Sequence, residues 1–145
     1  MTPNAEVLLL DTSAALALID LASPRHQAVL AVARGHRLGL SGHAAFEVLS
    51  LATRLPFPHR LSGADAARLI TTNFPDTRYL DEATATTLPS EFARLGVLGG
   101  SVYDGLVAAC ARTHGLTLLT CDRRARPTYD LLGVSYRLID SSPSS

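Results

Sequence analysis

The sequence predicts a three-layer α/β domain with a mostly parallel central sheet. Two aliphatic runs, residues 7–10 and 116–120, are typical of strands that are buried on both faces. Helical segments separate these runs, and strands that alternate with helices favour parallel pairing. With 145 residues, of which 47% are hydrophobic, the chain has enough apolar material for one core. We therefore expect a single domain over residues 1–140, followed by a flexible tail at residues 141–145.

The first half of the chain indicates two strands and three helices. A strand at residues 7–10 ends at Asp11, and a helix follows because Asp, Thr and Ser are favoured N-cap residues. Ser-Pro opens a second helix over residues 23–35, and a glycine ends it. A short strand is expected at residues 37–41, and an Ala- and Leu-rich helix at residues 43–55, where prolines stop it.

The second half of the chain continues the alternation. Ser62 and Asp65 form a capping box that opens a helix, and this helix runs to about Phe74, where a proline stops it. The remaining predicted elements are a strand at 77–80, a helix at 81–95 that Pro89 interrupts, a helix at 101–114, and strands at 116–120 and 134–139.

Charge and composition exclude several functions. Thirteen arginines balance 13 acidic residues, so no overall field draws the protein to nucleic acid or to a membrane. The sequence has no lysine, which excludes a P-loop, a Schiff-base enzyme and a receiver-type phosphoacceptor site. Two cysteines, Cys110 and Cys121, are too few for a disulfide framework. Because a signal peptide and a membrane span are also not indicated, we expect a cytoplasmic protein.

Four carboxylates lie in otherwise apolar segments. Asp11 ends the first strand, Glu47 lies within the third helix, Asp104 opens the helix at 101–114, and Asp122 follows a strand. A buried carboxylate costs several kcal/mol unless it is paired, hydrogen-bonded or bound to a cation. In a parallel sheet, such positions meet beyond the carboxyl ends of the strands. We therefore expect the four side chains to face one small volume.

Carboxylates that share one volume repel each other, which raises some of their pKa values unless a divalent cation is bound. Oxygen ligands without histidine or thiolate suit Mg²⁺ or Mn²⁺ rather than Zn²⁺. Such ions activate water for attack on a phosphodiester and neutralise the charge that develops on the leaving oxygen. The residues therefore predict metal-dependent hydrolysis of a nucleic-acid backbone.

The acids also have structural interpretations, which the sequence leaves open. Asp104 fits a capping box with Ser101, and Asp11 and Asp122 fit N-caps of helices that follow strands. Glu47 is harder to explain in this way, because neither a cap nor a neighbouring opposite charge accounts for it.

Basic and aromatic residues accompany the acids. Arg123, Arg124 and Arg126 come directly after the last acid, where they would either hold RNA phosphates or form a solvated helix start. Phe46 and Tyr103 each precede an acid in the sequence. We expect both rings to belong to the core rather than to stack on bases.

Four acidic motifs occur in order along the chain. They are Asp11-Thr12-Ser13 after an apolar strand, Ser41 followed by Glu47, Tyr103-Asp104 before a Leu-Val-Ala-Ala helix, and Leu-Leu-Thr120-Cys-Asp122-Arg-Arg. This pattern resembles that of PIN-domain nucleases and, more narrowly, that of the VapC-type toxins of bacterial toxin–antitoxin systems. The resemblance extends over nearly the whole chain and implies a PIN-like α/β/α fold.

The resemblance implies a Mg²⁺-dependent endoribonuclease, with Mn²⁺ able to substitute, that cuts a structured RNA such as tRNA or rRNA and blocks translation. It further implies a VapB-type antitoxin as inhibitor and a homodimer. Thr120 matches a hydroxyl that accompanies the last acid, and Ser13 would assist by hydrogen bonding. The positions that match the family's catalytic and metal-ligating acids are Asp11, Glu47, Asp104 and Asp122. Two departures are Gly105, where alanine is commoner, and Cys121, where a polar residue is commoner.

Two other functions were weighed against this one. A PIN-like module that binds RNA or a protein without cutting is the main alternative, and the complete set of acids argues against it. A phosphatase of the haloacid-dehalogenase type also places an aspartate after its first strand. It needs a second aspartate two residues later, where Ser13 stands, and a lysine, which the sequence lacks.

Overall fold

A four-stranded parallel sheet forms the centre of the structure, a computed structural model that describes residues 5–140. Its strands are β1 (Val7–Leu10), β2 (Arg37–Leu40), β3 (Leu118–Thr120) and β4 (Tyr136–Leu138). They lie in the order β2-β1-β3-β4, and every neighbouring pair is parallel. Parallel neighbours need crossover connections, which the helices supply. The predicted three-layer α/β/α fold is confirmed.

Seven α-helices occur among residues 5–140. They are α1 (Thr12–Ile19), α2 (His26–Ala33), α3 (His43–Thr53), α4 (Gly63–Asn73), α5 (Glu82–Leu95), α6 (Ser101–Thr113) and α7 (Arg126–Leu132). A short 3₁₀ helix, Arg123–Ala125, precedes α7. No helix in this part of the chain is long and apolar enough to cross a bilayer.

The strand order reverses between β1 and β3. From β1 the chain crosses to β2 on one side, and from β3 it crosses to β4 on the other side. Such a reversal opens a crevice at the carboxyl ends of the two strands. Leu10 pairs with Leu119, and the Asp11 amide donates to the Leu119 carbonyl at 3.1 Å. The residues that follow β1 and β3 therefore line this crevice together.

The two central strands and α6 supply much of the core. The leucines of β1 and β3 are buried, and each stabilises the fold by about 1.5–3 kcal/mol. The buried face of α6 consists of small residues, which let the helix pack closely on its neighbours. The Ser41 hydroxyl, at the end of β2, donates to the Val107 carbonyl of α6 at 2.7 Å. This bond fixes α6, and with it Asp104, against the edge of the sheet.

The predicted strand at residues 77–80 is wrong. Only one isolated bridge, between Ser41 and Arg78, occurs there. The segment does run along β2, but the Leu40 amide donates to the Thr77 side-chain hydroxyl at 2.9 Å instead of to a backbone carbonyl. The Arg37–Asp76 ion pair reinforces the contact. Side chains thus replace part of the backbone ladder on which a strand depends.

Several boundaries and one helix also differ from the expectation. The predicted series of elements does not include α7, although Asp122 fits an N-cap and Pro127 occupies the first turn of α7, where proline is favoured. The strands β3 and β4 each begin two residues later than expected, and α5 continues through Pro89 without a break. Ser62 is the N-cap of α4, since its hydroxyl accepts from the Asp65 amide at 3.1 Å, while the Asp65 carboxylate pairs with Arg68 instead of closing the predicted capping box. The predicted tail at 141–145 lies outside the described residues.

Candidate active site

The four predicted acids line one cavity of about 230 Å³ at the carboxyl end of the sheet. Asp11 follows β1, Glu47 lies on α3, Asp104 lies in the first turn of α6, and Asp122 follows β3. The structure therefore brings together acids that are distant in the sequence. The full lining consists of Asp11, Thr12, Ser13, Leu16, Glu47, Asp104, Val107, Asp122 and Tyr129.

Asp11 is the most buried of the four acids. One carboxylate oxygen accepts from the Ser13 hydroxyl at 2.6 Å and from the Ala14 amide at 3.0 Å, so Asp11 caps α1. Desolvation raises the pKa of Asp11, and hydrogen bonds from Ser13, Thr120, Ala14 and Tyr129 partly oppose this rise. The N-cap interpretation is correct, and it is compatible with a place in the acid cavity.

Tyr129 completes the surroundings of Asp11, and the sequence analysis missed it. Its hydroxyl donates to Asp11 Oδ2 at 2.8 Å, and the side chain is buried against Tyr136. Burial and the Asp11 charge raise the pKa of Tyr129, so the phenol keeps its proton and acts as the donor. A buried tyrosine needs a hydrogen-bond partner, but nothing local in the sequence connects Tyr129 to Asp11.

Asp104 lies among the other three acids, and its pKa is raised. Desolvation, followed by the charges of Asp122, Asp11 and Glu47, raises its pKa to about 6, and Arg124 opposes the rise. No hydrogen bond to its carboxylate occurs within residues 5–140. The capping-box interpretation is wrong, because Gly100 is the N-cap of α6 and no side chain caps the helix.

Glu47 is tied to the first turn of α1. The Thr12 hydroxyl donates to Glu47 Oε1 at 2.8 Å, across 35 residues of sequence. Asp11, Thr12 and Ser13 are all residue types that can cap α1. Asp11 performs that task, which leaves both hydroxyls to contact the acids.

Thr120 and Ser13 connect the ends of β1 and β3. The buried Thr120 hydroxyl accepts from the Asp122 amide at 3.0 Å and lies 3.4 Å from the Ser13 hydroxyl. Ser13 also accepts from the Cys121 amide at 2.8 Å. The Asp122 carboxylate accepts from the Arg124 amide at 2.9 Å, so Asp122 caps the 3₁₀ helix while it lines the cavity. Both hydroxyls thus fix the positions of carboxylates.

The three arginines after Asp122 do not act as one patch. Arg123 pairs with Asp140 at 3.2 Å, and Arg126 lies 3.4 Å from the Tyr136 hydroxyl. Arg124 points to the site, 3.5 Å from an Asp122 oxygen, and its side chain is 93% exposed. Of the three, Arg124 is therefore the one placed to meet a phosphate at the rim of the cavity.

The structure explains one departure from the family pattern, Gly105. A Cβ atom at this position would lie 2.8 Å from Cζ of Phe92, whose ring is buried. The glycine therefore lets α5 and α6 pack closely behind Asp104. The other departure, Cys121, is a buried free thiol, and desolvation raises its pKa to about 11.

The donor set of the cavity suits a hard cation. All candidate ligands are carboxylate and hydroxyl oxygens, the type that Mg²⁺ and Mn²⁺ prefer. Within residues 5–140, no three His, Cys, Asp or Glu side chains are grouped so that they could hold a metal ion as they stand. Mg²⁺ keeps several waters and needs only one or two carboxylates in direct contact. The residues fit such a hydrated ion, and Asp104 has a carboxylate free to bind it.

Fold and site together define a class: parallel α/β domains with an acidic cavity where the strand order reverses. The PIN domain family model matches residues 8–131. Ribonuclease VapC27 of Mycobacterium tuberculosis is 42% identical over 127 residues, which are 88% of this chain and 93% of that protein. The chain belongs to the PIN-domain family and, within it, to the VapC group.

Other comparisons agree with this assignment. Ribonuclease VapC40 of Mycobacterium tuberculosis is 37% identical over 132 residues, 89% of this chain and 96% of that protein. FitAcB from Neisseria gonorrhoeae superposes with a TM-score of 0.62 at 22% identity, over 89% of this chain and 95% of that chain. VapBC2 from Rickettsia felis, bound to promoter DNA, superposes with a TM-score of 0.66 at 13% identity, over 92% of this chain and 99% of that chain. At these identities the two structures support the fold alone.

Proposed function

We propose that the protein is the toxin of a VapBC-type system, a metal-dependent endoribonuclease that hydrolyses a structured RNA, tRNA or rRNA, and so inhibits translation. The observation that carries the proposal is the cavity in which the four acids meet. The names of the curated relatives, Ribonuclease VapC27 and Ribonuclease VapC40, support the same activity.

Mg²⁺ is the proposed cofactor, and Mn²⁺ would substitute for it. Asp11 and Asp104 would be the principal ligands, with Glu47 and Asp122 in contact directly or through water. When bound, the cation supplies activation of water and neutralises the charge that develops on the leaving oxygen. Desolvation and, after it, the charges of the other three acids raise the pKa of Asp104, and a bound cation would offset those charges.

The side chains around the acids keep them in place for this reaction. Hydrogen bonds from Ser13 and Tyr129 orient the two oxygens of Asp11 and stabilise its charged form. The Thr12 hydroxyl fixes Glu47, and Thr120 holds the backbone that presents Asp122. A carboxylate held in this way needs little reorganisation when it binds a cation.

A VapB-type antitoxin is the proposed inhibitor, and a homodimer is the proposed assembly. Several structural neighbours are named as VapBC complexes, which supports the first of these. Inhibition requires that the acidic cavity be covered. An antitoxin arginine that reaches the carboxylates would do so with charge-assisted hydrogen bonds. The substrate would be held in part by Arg124, the exposed arginine at the rim.

The direct test is cleavage of total cellular RNA by purified, partner-free protein with Mg²⁺, with Mn²⁺ or with a chelator. Asp104→Asn is the test variant. Asp65→Asn makes the same chemical change on an exposed face of α4 and is the matched control. We expect discrete fragments that require metal, persist in the control and disappear in Asp104→Asn.

Sequencing of the fragment ends would identify the RNA and the cleavage site. Asp11→Asn should be folded and inactive as well, because Asn retains the ability to cap α1. Full metal-dependent cleavage by both Asp11→Asn and Asp104→Asn would refute the proposal. Intact RNA in every lane, from folded protein that Mn²⁺ stabilises, would instead favour a non-catalytic binding module.

A further inference from the structure

Two aromatic side chains beside the acid cavity are exposed, contrary to the expectation that they belong to the core. Phe46, next to Glu47, is 57% exposed, and Tyr103, next to Asp104, is 52% exposed. Rings exposed to this extent contribute little to the core, and these two lie beside the acid cavity, where they are accessible to a ligand. The expectation of a core position is wrong because adjacency to an acid in the sequence does not determine which way a ring packs.

Tyr103 forms a stacked pair with His43. The ring centroids lie 5.1 Å apart with an interplanar angle of 19°. The pair joins α3 to the first turn of α6, the two helices that carry Glu47 and Asp104. Stacking holds the Tyr103 ring in place before any ligand arrives, which lowers the entropic cost of binding a flat partner.

The pair borders a second concavity, of about 380 Å³, which adjoins the acid cavity. Its lining is His43, Phe46, Glu47, Ser50 and Tyr103. Glu47 lines both cavities, so an RNA chain whose phosphate lies at the acids can place a neighbouring base on this surface. The two sites are therefore continuous along the path that an RNA chain would take.

The chemistry of the second concavity favours a base over a phosphate. Three of its five lining residues carry rings, its one acid is Glu47, and no arginine lines it. A phosphate there would meet a carboxylate, whereas the face of a nucleobase would meet aromatic rings. Stacking on aromatic side chains is the usual way in which proteins hold unpaired RNA bases.

We propose that the His43–Tyr103 pair stacks on the nucleobase next to the scissile phosphate and thereby helps to select the cleavage site. This inference rests on the proposed endoribonuclease function. The two residues bind and position the substrate, and they take no part in the chemical step.

The test combines a protein change with a substrate change. Tyr103→Leu removes the ring and keeps an apolar side chain of similar reach. The substrate is the RNA segment around the mapped cleavage site, together with versions that lack the base on one side or the other of the scissile phosphate. Phe57→Leu is the matched control, because the Phe57 ring is 86% exposed and lines neither cavity.

We expect removal of one of the two bases to raise the KM of the wild-type protein by about 5- to 150-fold, the equivalent of roughly 1–3 kcal/mol, with kcat little changed. Tyr103→Leu should raise the KM for the intact RNA by a similar factor. In this variant the KM should not rise further when the RNA lacks that base, because the Tyr103 ring and the base stabilise the complex through a single contact with each other. Phe57→Leu should have the KM of the wild type.

The proposal would be overturned if Tyr103→Leu had the same KM as the wild type. It would also be overturned if removal of the base raised the KM of Tyr103→Leu as much as it raises that of the wild type. An equal rise in the KM of Phe57→Leu would also overturn it. A changed oligomeric state of Tyr103→Leu in light scattering, with the KM unaltered, would show that the surface contacts another protein copy instead.

A binding measurement separates this inference from the proposed function. Fluorescence anisotropy in a chelator compares a short oligouridylate with a backbone of the same length that carries no bases. If the wild type prefers the oligouridylate and Tyr103→Leu does not, yet no RNA is cut, the stacking is supported and the proposed function is wrong. If cleavage is found but neither protein prefers bases, the stacking is wrong.

Discussion

Substitution of Asp104 by asparagine should stabilise the metal-free protein while abolishing its activity. Burial and three neighbouring carboxylates raise the pKa of Asp104 from 3.8 to about 6. Each pKa unit corresponds to about 1.36 kcal/mol, so ionised Asp104 destabilises the fold by at most about 3 kcal/mol at neutral pH. Asparagine has the same shape without the charge. We expect Asp104→Asn to raise the free energy of unfolding by about 2–3 kcal/mol at pH 7.5.

The pH dependence follows from the direction of this shift. The folded protein binds the Asp104 proton more tightly than the unfolded chain, so the stabilising contribution of the carboxyl is complete below pH 3.8 and is lost as the pH rises to about 6. The advantage of Asp104→Asn over the wild type should therefore shrink to about 0.5 kcal/mol at pH 4.

Urea denaturation in a chelator, at pH 7.5 and at pH 4, measures both values, with Asp65→Asn as the control for loss of an exposed aspartate. Added Mn²⁺ should then stabilise the wild type more than Asp104→Asn, because a bound ligand stabilises only the state that holds it. Equal or lower stability of Asp104→Asn at pH 7.5 would refute the electrostatic reasoning.

Three further outcomes are expected. Tyr129→Phe should lower the free energy of unfolding by about 1–3 kcal/mol in urea titration, because Asp11 Oδ2 loses its buried donor; unchanged stability would contradict this. Gly105→Ala should destabilise by about 1 kcal/mol, because the clash with Phe92 outweighs the gain in helix propensity; a higher melting temperature would count against it. Arg124→Gln should weaken RNA binding and lower the slope of log affinity against log salt by about 0.7, and an unaltered slope would exclude a phosphate contact.

The sheet and the acids could be predicted because their signals are local. The leucine-rich strands β1 and β3 can bury their side chains only in a sheet that has helices on both faces. An aspartate follows each of them, directly after β1 and two residues after β3. An isolated charge in an apolar segment has a high cost, so Glu47 and Asp104 stood out without knowledge of their neighbours. The rule that sites form at the carboxyl ends of parallel strands then brought all four acids together.

Features that depend on distant partners could not be predicted. The hydrogen bond of Tyr129 to Asp11 spans 118 residues, and its ring gives no sign of that partner in the sequence. The segment at residues 77–80 has the composition of a strand, but the Thr77 hydroxyl takes a bond that a backbone carbonyl would otherwise accept. The exposure of Phe46 and Tyr103 likewise follows from how α3 and α6 meet.

The pairing of β1 with β3 has a consequence for the synthesis of the protein. The Ser13 and Thr120 hydroxyls lie 3.4 Å apart although 107 residues separate them. A ribosome therefore delivers Asp11 and Glu47 long before the strand that places Asp122 beside them, and contacts between such distant segments form late. A chain that stops before β3 has no acid cavity. Any activity of this site therefore begins only after β3 and Asp122 have left the ribosome.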